Sequence, residues 1–302
     1  MGHSHSHSHG KGHHHGDGAI GWAVVVNLAL TAAQIVGGLM AGSTALIADG
    51  VHNLSDALAL VLAFGARRLA RREASPDMSF GWGRAEVVAA FINYLALIAI
   101  SVWLVVEAIG RFADPPDVAG GLVMALAAFA LVVDLGTAAL VYRLSKDSLN
   151  IRAAFMHNLA DAAVSVAVLF GGLLIWAFGW NLADPILTLA ISVVIVWHIL
   201  PDLGPVLRML MLASPAGVEP DRVMGALRAL PQVRDAHHLH LWQIDEKRNA
   251  ASVHLEVESG EYSDLIRAAK EMLHRDFGIS HSTIEVEPPG ACADDPGPGA
   301  DH

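Results

Sequence analysis

Two stretches of this 302-residue chain carry the same pattern, His-Asn-Leu-x-Asp: ADGVHNLSDAL, with His52 and Asp56, and AAFMHNLADAA, with His157 and Asp161. On a helix, residues four apart share one face about a turn from each other, so each stretch offers an imidazole and a carboxylate side by side. Two such helices face to face would supply four ligands, a set suited to a tetrahedral divalent cation. A single His–Asp pair inside a helical bundle is as well explained by a polar pair hydrogen-bonded across it; two near-identical copies favour a shared site. Two aspartates also balance a divalent charge. When the cation leaves, two carboxylates close together in a low-dielectric setting favour the return of protons. Binding needs neutral imidazole and ionised carboxylate, so metal and protons compete for the same groups. The spacing therefore predicts exchange of a divalent cation against protons.

Six apolar stretches of about 20 residues, the length that crosses a ~30 Å hydrocarbon layer, are expected at 19–40, 44–66, 86–109, 118–142, 152–178 and 183–206. Hydrophobic residues make up 54% of the chain and charged ones 16%, with a mean hydropathy of +0.46. Such values place it among membrane proteins. Arg67, Arg68, Arg71, Arg72 and Arg84 flank one connection, and Arg143, Lys146 and Arg152 another, whereas the opposite loops hold only Arg111. This bias puts both termini and the basic loops on the cytosolic side. The two His-x-x-x-Asp stretches then fall on the second and fifth helices, which run in opposite directions, as in transporters built from inverted repeats with a midplane site.

The net charge of -11 is the reverse of a nucleic-acid-binding footprint. The single cysteine, Cys292, excludes an intramolecular disulfide and any cysteine-only zinc site. The His-Glu-x-x-His signature of a zinc protease is absent, so the chain reads as a transporter and not as an enzyme. Seven of its 17 histidines fall within the first fifteen residues. That leader, residues 1–18, resembles either a purification tract or a flexible segment collecting zinc by weak multidentate contacts; alternating His-Ser favours the second. The first apolar run is long and lacks a small-residue cleavage motif, so it is expected to remain as a helix.

The domain organisation expected is a six-helix membrane domain over 19–208, a soluble domain over 209–289 and a disordered tail over 290–302. From Met209 onward 8 Lys and Arg stand against 16 Asp and Glu. Helical periodicity at 220–230 and 263–277 and strand alternation at 236–244, 250–258 and 281–287 predict a small α+β fold with two helices on one sheet face.

Beyond the paired motifs, the sequence resembles the cation diffusion facilitators through FGWGRAEVVAA at 80–90, SLNIRAAFMHNLAD at 148–161, ADP at 183–185, AHHLHLW at 236–242 and SVHLEVE at 252–258. The resemblance implies a homodimeric zinc/proton antiporter in the lipid bilayer, of the bacterial inner membrane, exporting Zn2+ by alternating access through His52, Asp56, His157 and Asp161. Co2+, Fe2+, Cd2+ and Ni2+ are alternative cargoes, and a non-transporting membrane sensor or store is the alternative from another class. The terminal domain is expected to be metallochaperone-like (ferredoxin-like) and to hold a regulatory Zn2+. By the same resemblance His237 and His254 match metal-ligating positions, Glu285 and Glu287 occupy the matching places in the last strand, and His240 and His281 stand as substitutes. His238 and His274 read as surface residues.

Other polar residues are open to plainer readings. Asp49, three before His52, either shares the site's face or caps and packs its helix. Asp134, inside the fourth helix, is a candidate for a proton or metal path. Asp184-Pro185 has the form of a cap and first-turn proline starting the sixth helix. His198 reads as a hydrogen-bonded core residue, and Arg84 as an anchor at the cytosolic face.

Overall fold

The computed structural model describes residues 14–144, 149–258 and 262–292. Most of the histidine-rich leader (1–13) and of the tail (293–302) lies outside the described residues.

Six long helices come first: α1 His14–Ala41, α2 Thr44–Ala70, α3 Ala85–Ala113, α4 Gly120–Leu144, α5 Leu149–Phe178 and α6 Ala183–Leu210. Among the described residues, five stretches are long and apolar enough to cross a membrane, one in each of α2 to α6, and α1 contributes an apolar run over Val26–Ala41. Large apolar side chains stand exposed along them, for example Ile92, Val102, Trp103, Val106 and Ile109 on α3. In water such a surface would aggregate; in lipid it is the solvated face. The chain is an integral membrane protein.

Contacts divide the chain into two units, residues 1–61 with 93–200, and residues 62–92 with 201–302. Within the first, α4 and α5 are packed backbone to backbone. A Cβ on Gly120 would lie 2.6 Å from the Trp176 nitrogen and 2.7 Å from the Gly172 carbonyl oxygen, and one on Gly172 would lie 3.0 Å from the Met124 nitrogen. Small residues permit this approach, which is how helices gain packing energy where lipid removes the hydrophobic drive.

The start of α2 is fixed from a distance. Gly42, at φ +71°, turns the chain out of α1, and the Ser43 hydroxyl accepts from the Leu46 N–H at 3.1 Å. The remaining orphan donors of the helix N-terminus go to Asp184 of α6, 1% exposed, which accepts from Thr44 N (2.9 Å), Ala45 N (3.2 Å), the Thr44 hydroxyl (2.8 Å) and the Ser43 hydroxyl (2.5 Å). Asp184 therefore caps α2 and already lies in the first turn of α6, a correction to its reading as the sixth helix's own cap. His198 is corrected too: it lies on an exposed face of α6, its Nδ1 2.9 Å from the Val194 carbonyl oxygen one turn earlier.

In the second unit α7 Pro220–Arg228, β1 Val233–Gln243, β2 Asn249–Val257, α8 Ser263–Phe277 and β3 Ile279–Glu287 follow the predicted order. The sheet order is β1-β2-β3, with β1 antiparallel and β3 parallel to β2. The parallel pairing follows from α8, which carries the chain back across the sheet before β3 begins. One core joins Val223 and Leu227 of α7, Ala269 and Leu273 of α8, and Ala251, Val253 and Leu255 of β2. Gly278, at φ +65°, ends α8, its N–H donating to the His274 carbonyl at 3.1 Å.

The same unit includes the FGWGR segment. Arg84 donates to the carbonyls of Gln243 (2.7 Å) and Ile244 (3.2 Å) at the end of β1, and Arg248 donates to the Phe80 carbonyl at 3.3 Å. Arg248 also pairs with Asp245 at 2.6 Å. Partial burial pushes the Asp245 carboxyl up, but the N–H groups of Lys247 and Arg248 and the guanidinium outweigh it and hold the group below the usual carboxylate range.

Candidate metal centres

The apolar helices bring the two motif copies together. His157 Nε2 lies 3.1 Å from Asp56 Oδ2 and 3.5 Å from Asp161 Oδ2, and His52 Nε2 lies 3.4 Å from Asp161 Oδ1 and 3.9 Å from Asp56 Oδ2. Each carboxylate thus faces both imidazoles, one from its own helix and one from the other. The rings stand 6.2 Å apart at 67°. His52, Asp56 and Asp161 can place one ligand atom each within 4.8 Å of one another; His157 approaches from the more open side, its side chain 50% exposed against 11% for Asp161. Metal–ligand bonds of about 2.0–2.1 Å in a tetrahedron put neighbouring ligand atoms about 3.3 Å apart. Three of the four N···O separations lie close to that edge, and the fourth exceeds it by a fraction of an ångström.

Around this centre stand two further carboxylates. Asp49 accepts from the Gln34 amide at 2.6 Å, and the Gln34 oxygen in turn accepts from Asn53 at 3.0 Å, all three residues being buried. Of the two readings of Asp49, its contacts are those of a fixed polar network linking α1 to α2. Asp134 accepts from the Ser165 hydroxyl at 2.9 Å; Ser165 is one turn beyond Asp161, so α4 presents its carboxylate to the face of α5 that carries His157 and Asp161. The sequence flagged both aspartates, but Gln34 carries no spacing signal that would reveal its role.

The second cluster lies on the small sheet. His237 and His254 are direct partners across β1 and β2, with rings 5.6 Å apart. Glu287 Oε1 reaches both, at 2.6 Å from His237 Nε2 and 3.5 Å from His254 Nδ1. Glu285 faces the other nitrogen of His254, Nε2, at 3.5 Å. His240 pairs with Ser252 away from this cluster, and His281 lies edge-on to Phe80, with ring centroids 5.5 Å apart; neither joins the convergent set. His238 reads from the sequence as a surface residue, yet a bulge between His237 and His240 holds it at φ +49°, and its ring stands 5.2 Å from both His237 and His254. His237, His238 and Glu287 border a cavity of about 320 Å³ that also touches Glu256, Pro288 and Cys292.

A polytopic helical membrane protein with two imidazoles and two carboxylates meeting between its helices, joined to a small α+β domain, has the form of a cation transporter. Sequence comparison makes the class specific: the cation efflux transmembrane domain matches residues 22–211 and the cation efflux protein cytoplasmic domain matches 215–289. The chain belongs to the cation efflux family and is a transporter, not an enzyme. Among its relatives, the zinc transporter ZitB of Escherichia coli (strain K12) is 34% identical over 272 residues, covering 88% of this chain and 86% of the relative. The cadmium, cobalt and zinc/H(+)-K(+) antiporter of Bacillus subtilis (strain 168) is 32% identical over 264 residues, covering 84% and 83%. Among solved structures, the metal-bound C-terminal domain of the CzcD transporter from Cuprividus metallidurans is 28% identical, covers 23% of this chain and 99% of that one, and gives a TM-score of 0.22.

Proposed function

We propose that the protein exports divalent cations, Zn2+ first among them, from the cytosol in exchange for protons, with His52, Asp56, His157 and Asp161 as the transport site. The observation that carries this reading is the set of N···O separations of 3.1–3.9 Å among those four groups. A divalent cation fits at their centre with its charge cancelled by two carboxylates. Without it, protons on the imidazoles turn the same contacts into ion pairs, so the site has two neutral occupancies and no favourable charged one. Alternating exposure of such a site couples cation movement one way to proton movement the other. The names of the relatives, a zinc transporter and a cadmium, cobalt and zinc antiporter, support a divalent cargo.

In this reading both termini face the cytosol across a bacterial inner membrane, the protein works as a homodimer, as the cytoplasmic-domain family leads one to expect, and the soluble domain holds a regulatory metal. His237, His254 and Glu287 fit such an ion: their donor atoms converge, and His237 Nε2 and Glu287 Oε1 are buried without a hydrogen bond. The histidine-rich leader raises the local zinc concentration at the cytosolic mouth.

The test is zinc flux with a pH dye in proteoliposomes. Opposed zinc and proton movement, lost in Asp161→Ala, is expected. Zinc binding without flux by a folded, inserted protein would replace transport by sensing, and flux of another metal alone would keep the mechanism and change the cargo.

A further inference from the structure

Sequence pattern places Cys292 in a disordered tail, but residues 288–292 have a defined course. Two prolines leave β3, the Ala291 N–H donates to the Pro288 carbonyl at 3.2 Å, and Gly290 takes φ +73°, a conformation open to glycine at no steric cost. The turn sends the chain back over the sheet and sets Cys292 Sγ 3.7 Å from His254 Nδ1. His237, His254, Glu287 and Cys292 can each place one donor atom within 4.8 Å of all the others.

Resting on the reading that the soluble domain binds a metal, we infer that Cys292 completes its site, making a two-histidine, one-glutamate, one-thiolate centre for a thiophilic divalent cation such as Zn2+ or Cd2+. Three observations support the donor set. Glu287 is 7% exposed, and its Oε1 and His237 Nε2 approach to 2.6 Å without either making a hydrogen bond; a cation between them satisfies both lone pairs. The 3.7 Å S···N separation is close to the tetrahedral edge of about 3.6 Å expected from Zn–S of ~2.3 Å and Zn–N of ~2.0–2.1 Å. The 3.5 Å separation of Glu287 Oε1 from His254 Nδ1 likewise approaches the N···O edge, while the 2.6 Å pair opens by about 0.7 Å to reach it.

The arrangement also assigns Glu285 a different part from that of a ligand. With His254 Nδ1 turned to the cation, its Nε2 carries the proton and faces Glu285 Oε2 at 3.5 Å, the carboxylate–histidine–metal relation that fixes tautomer and ring orientation. Glu285 is a positioning residue. Because a thiolate enters, the site prefers softer cations than the nitrogen and oxygen ligands of the membrane centre, and occupancy ties the turn after β3 to the sheet.

The single cysteine makes the test clean. Purified, metal-stripped full-length protein carrying Asp56→Ala and Asp161→Ala, which removes two ligands of the membrane centre, is titrated with Co2+. The proposal expects a near-ultraviolet thiolate-to-cobalt charge-transfer band saturating at one cobalt per protomer, together with visible tetrahedral bands. Cys292→Ser abolishes the charge-transfer band with the circular dichroism unchanged, and Glu285→Gln weakens cobalt binding by roughly 10–100-fold. In parallel, Zn2+ slows alkylation of Cys292 by iodoacetamide at least about tenfold, a protection lost in Glu287→Gln, as expected for coordination of the nucleophilic thiolate. Visible cobalt bands without the sulfur band overturn the role of Cys292 and leave a cytosolic metal in place. No cobalt bound at all overturns both. A sulfur band that persists at the same affinity in Glu287→Gln marks a surface thiolate adduct and overturns the proposal.

Discussion

Replacing Asp184 by alanine removes the cap that α6 supplies to α2. The carboxylate accepts two backbone N–H groups and two hydroxyls in a place that is 1% exposed, so water cannot stand in for it without opening the structure. Hydrogen bonds to a charged acceptor contribute about 1.5–3 kcal/mol each, and an orphaned buried donor costs a similar amount. Counting the Thr44 and Ala45 N–H groups alone, Asp184→Ala is expected to destabilise the protein by about 3–6 kcal/mol. The hydroxyls of Ser43 and Thr44 can rotate to other acceptors, so they are left out of the figure. Arg111 loses a neighbour at 3.6 Å but keeps Glu107 at 3.0 Å and the Gly42 carbonyl at 2.5 Å. Asp184→Asn retains one carbonyl acceptor and loses the charge that complements the helix N-terminus, so it falls between the two. The assay is unfolding of the purified protein in mixed micelles by denaturant, followed by tryptophan fluorescence, with Ser43→Ala completing a double-mutant cycle whose coupling should lie within about 0.5–3 kcal/mol. A loss below about 1 kcal/mol for Asp184→Ala would refute the capping argument.

Four further outcomes are expected. Asp161→Asn keeps the side-chain volume and removes a carboxylate that faces both imidazoles at 3.4 and 3.5 Å; zinc flux should fall by more than the ~10–100-fold that follows loss of an outer-shell partner, measured in proteoliposomes. Deleting residues 1–18 should raise the apparent zinc Km and leave turnover largely intact, so a large loss of turnover counts against the collecting role of the leader. Gly83→Ala places a Cβ 2.7 Å from Asp245 Oδ2 and 2.9 Å from Arg248 Nη2, which should dislodge that ion pair and lower the melting temperature. The Asp245 carboxyl is held below its ordinary 3.8, so its contribution is complete above that value and disappears as pH falls through the lower folded-state value. The stability gap between the parent and Asp245→Asn should therefore be widest near neutrality and close in strong acid, as read by thermal melts across pH.

Much of this architecture was legible in the sequence because local periodicity reports it. The spans follow from apolar length, and each observed helix overlaps the stretch assigned to it. The order of α7, β1, β2, α8 and β3 follows from alternation against 3.6-residue periodicity. The convergence of His52, Asp56, His157 and Asp161 was readable because the motif occurs twice and helix geometry sets which side chains share a face. Partners across long distances were not readable. Asp184 meets Thr44, 140 residues away, and a local Asp-Pro pattern says only that a helix begins nearby. Gln34 gives no local hint that it holds Asp49. Cys292 was hidden by composition: a Pro/Gly-rich tail reads as structureless, while the particular order Pro-Pro-Gly is also a turn that returns the chain to the sheet it has just left. Glu285 and Glu287, two apart in β3, share one sheet face, and the pairing of β3 with β2 sets them at opposite nitrogens of the His254 ring.

The glycine contact between α4 and α5 decides where a moving part can be. With backbone meeting backbone at Gly120 and Gly172, and Asp134 bonded to Ser165 farther along, α4 and α5 share one close seam and are expected to move as one beam that carries His157, Asp161 and Asp134 together. α2 meets α5 where His52 and Asp56 face Asp161 and His157. The passenger in the proposed cycle is then also the rivet. In that proposal its arrival fastens the two helices together, and its exchange for protons is the step that lets them part.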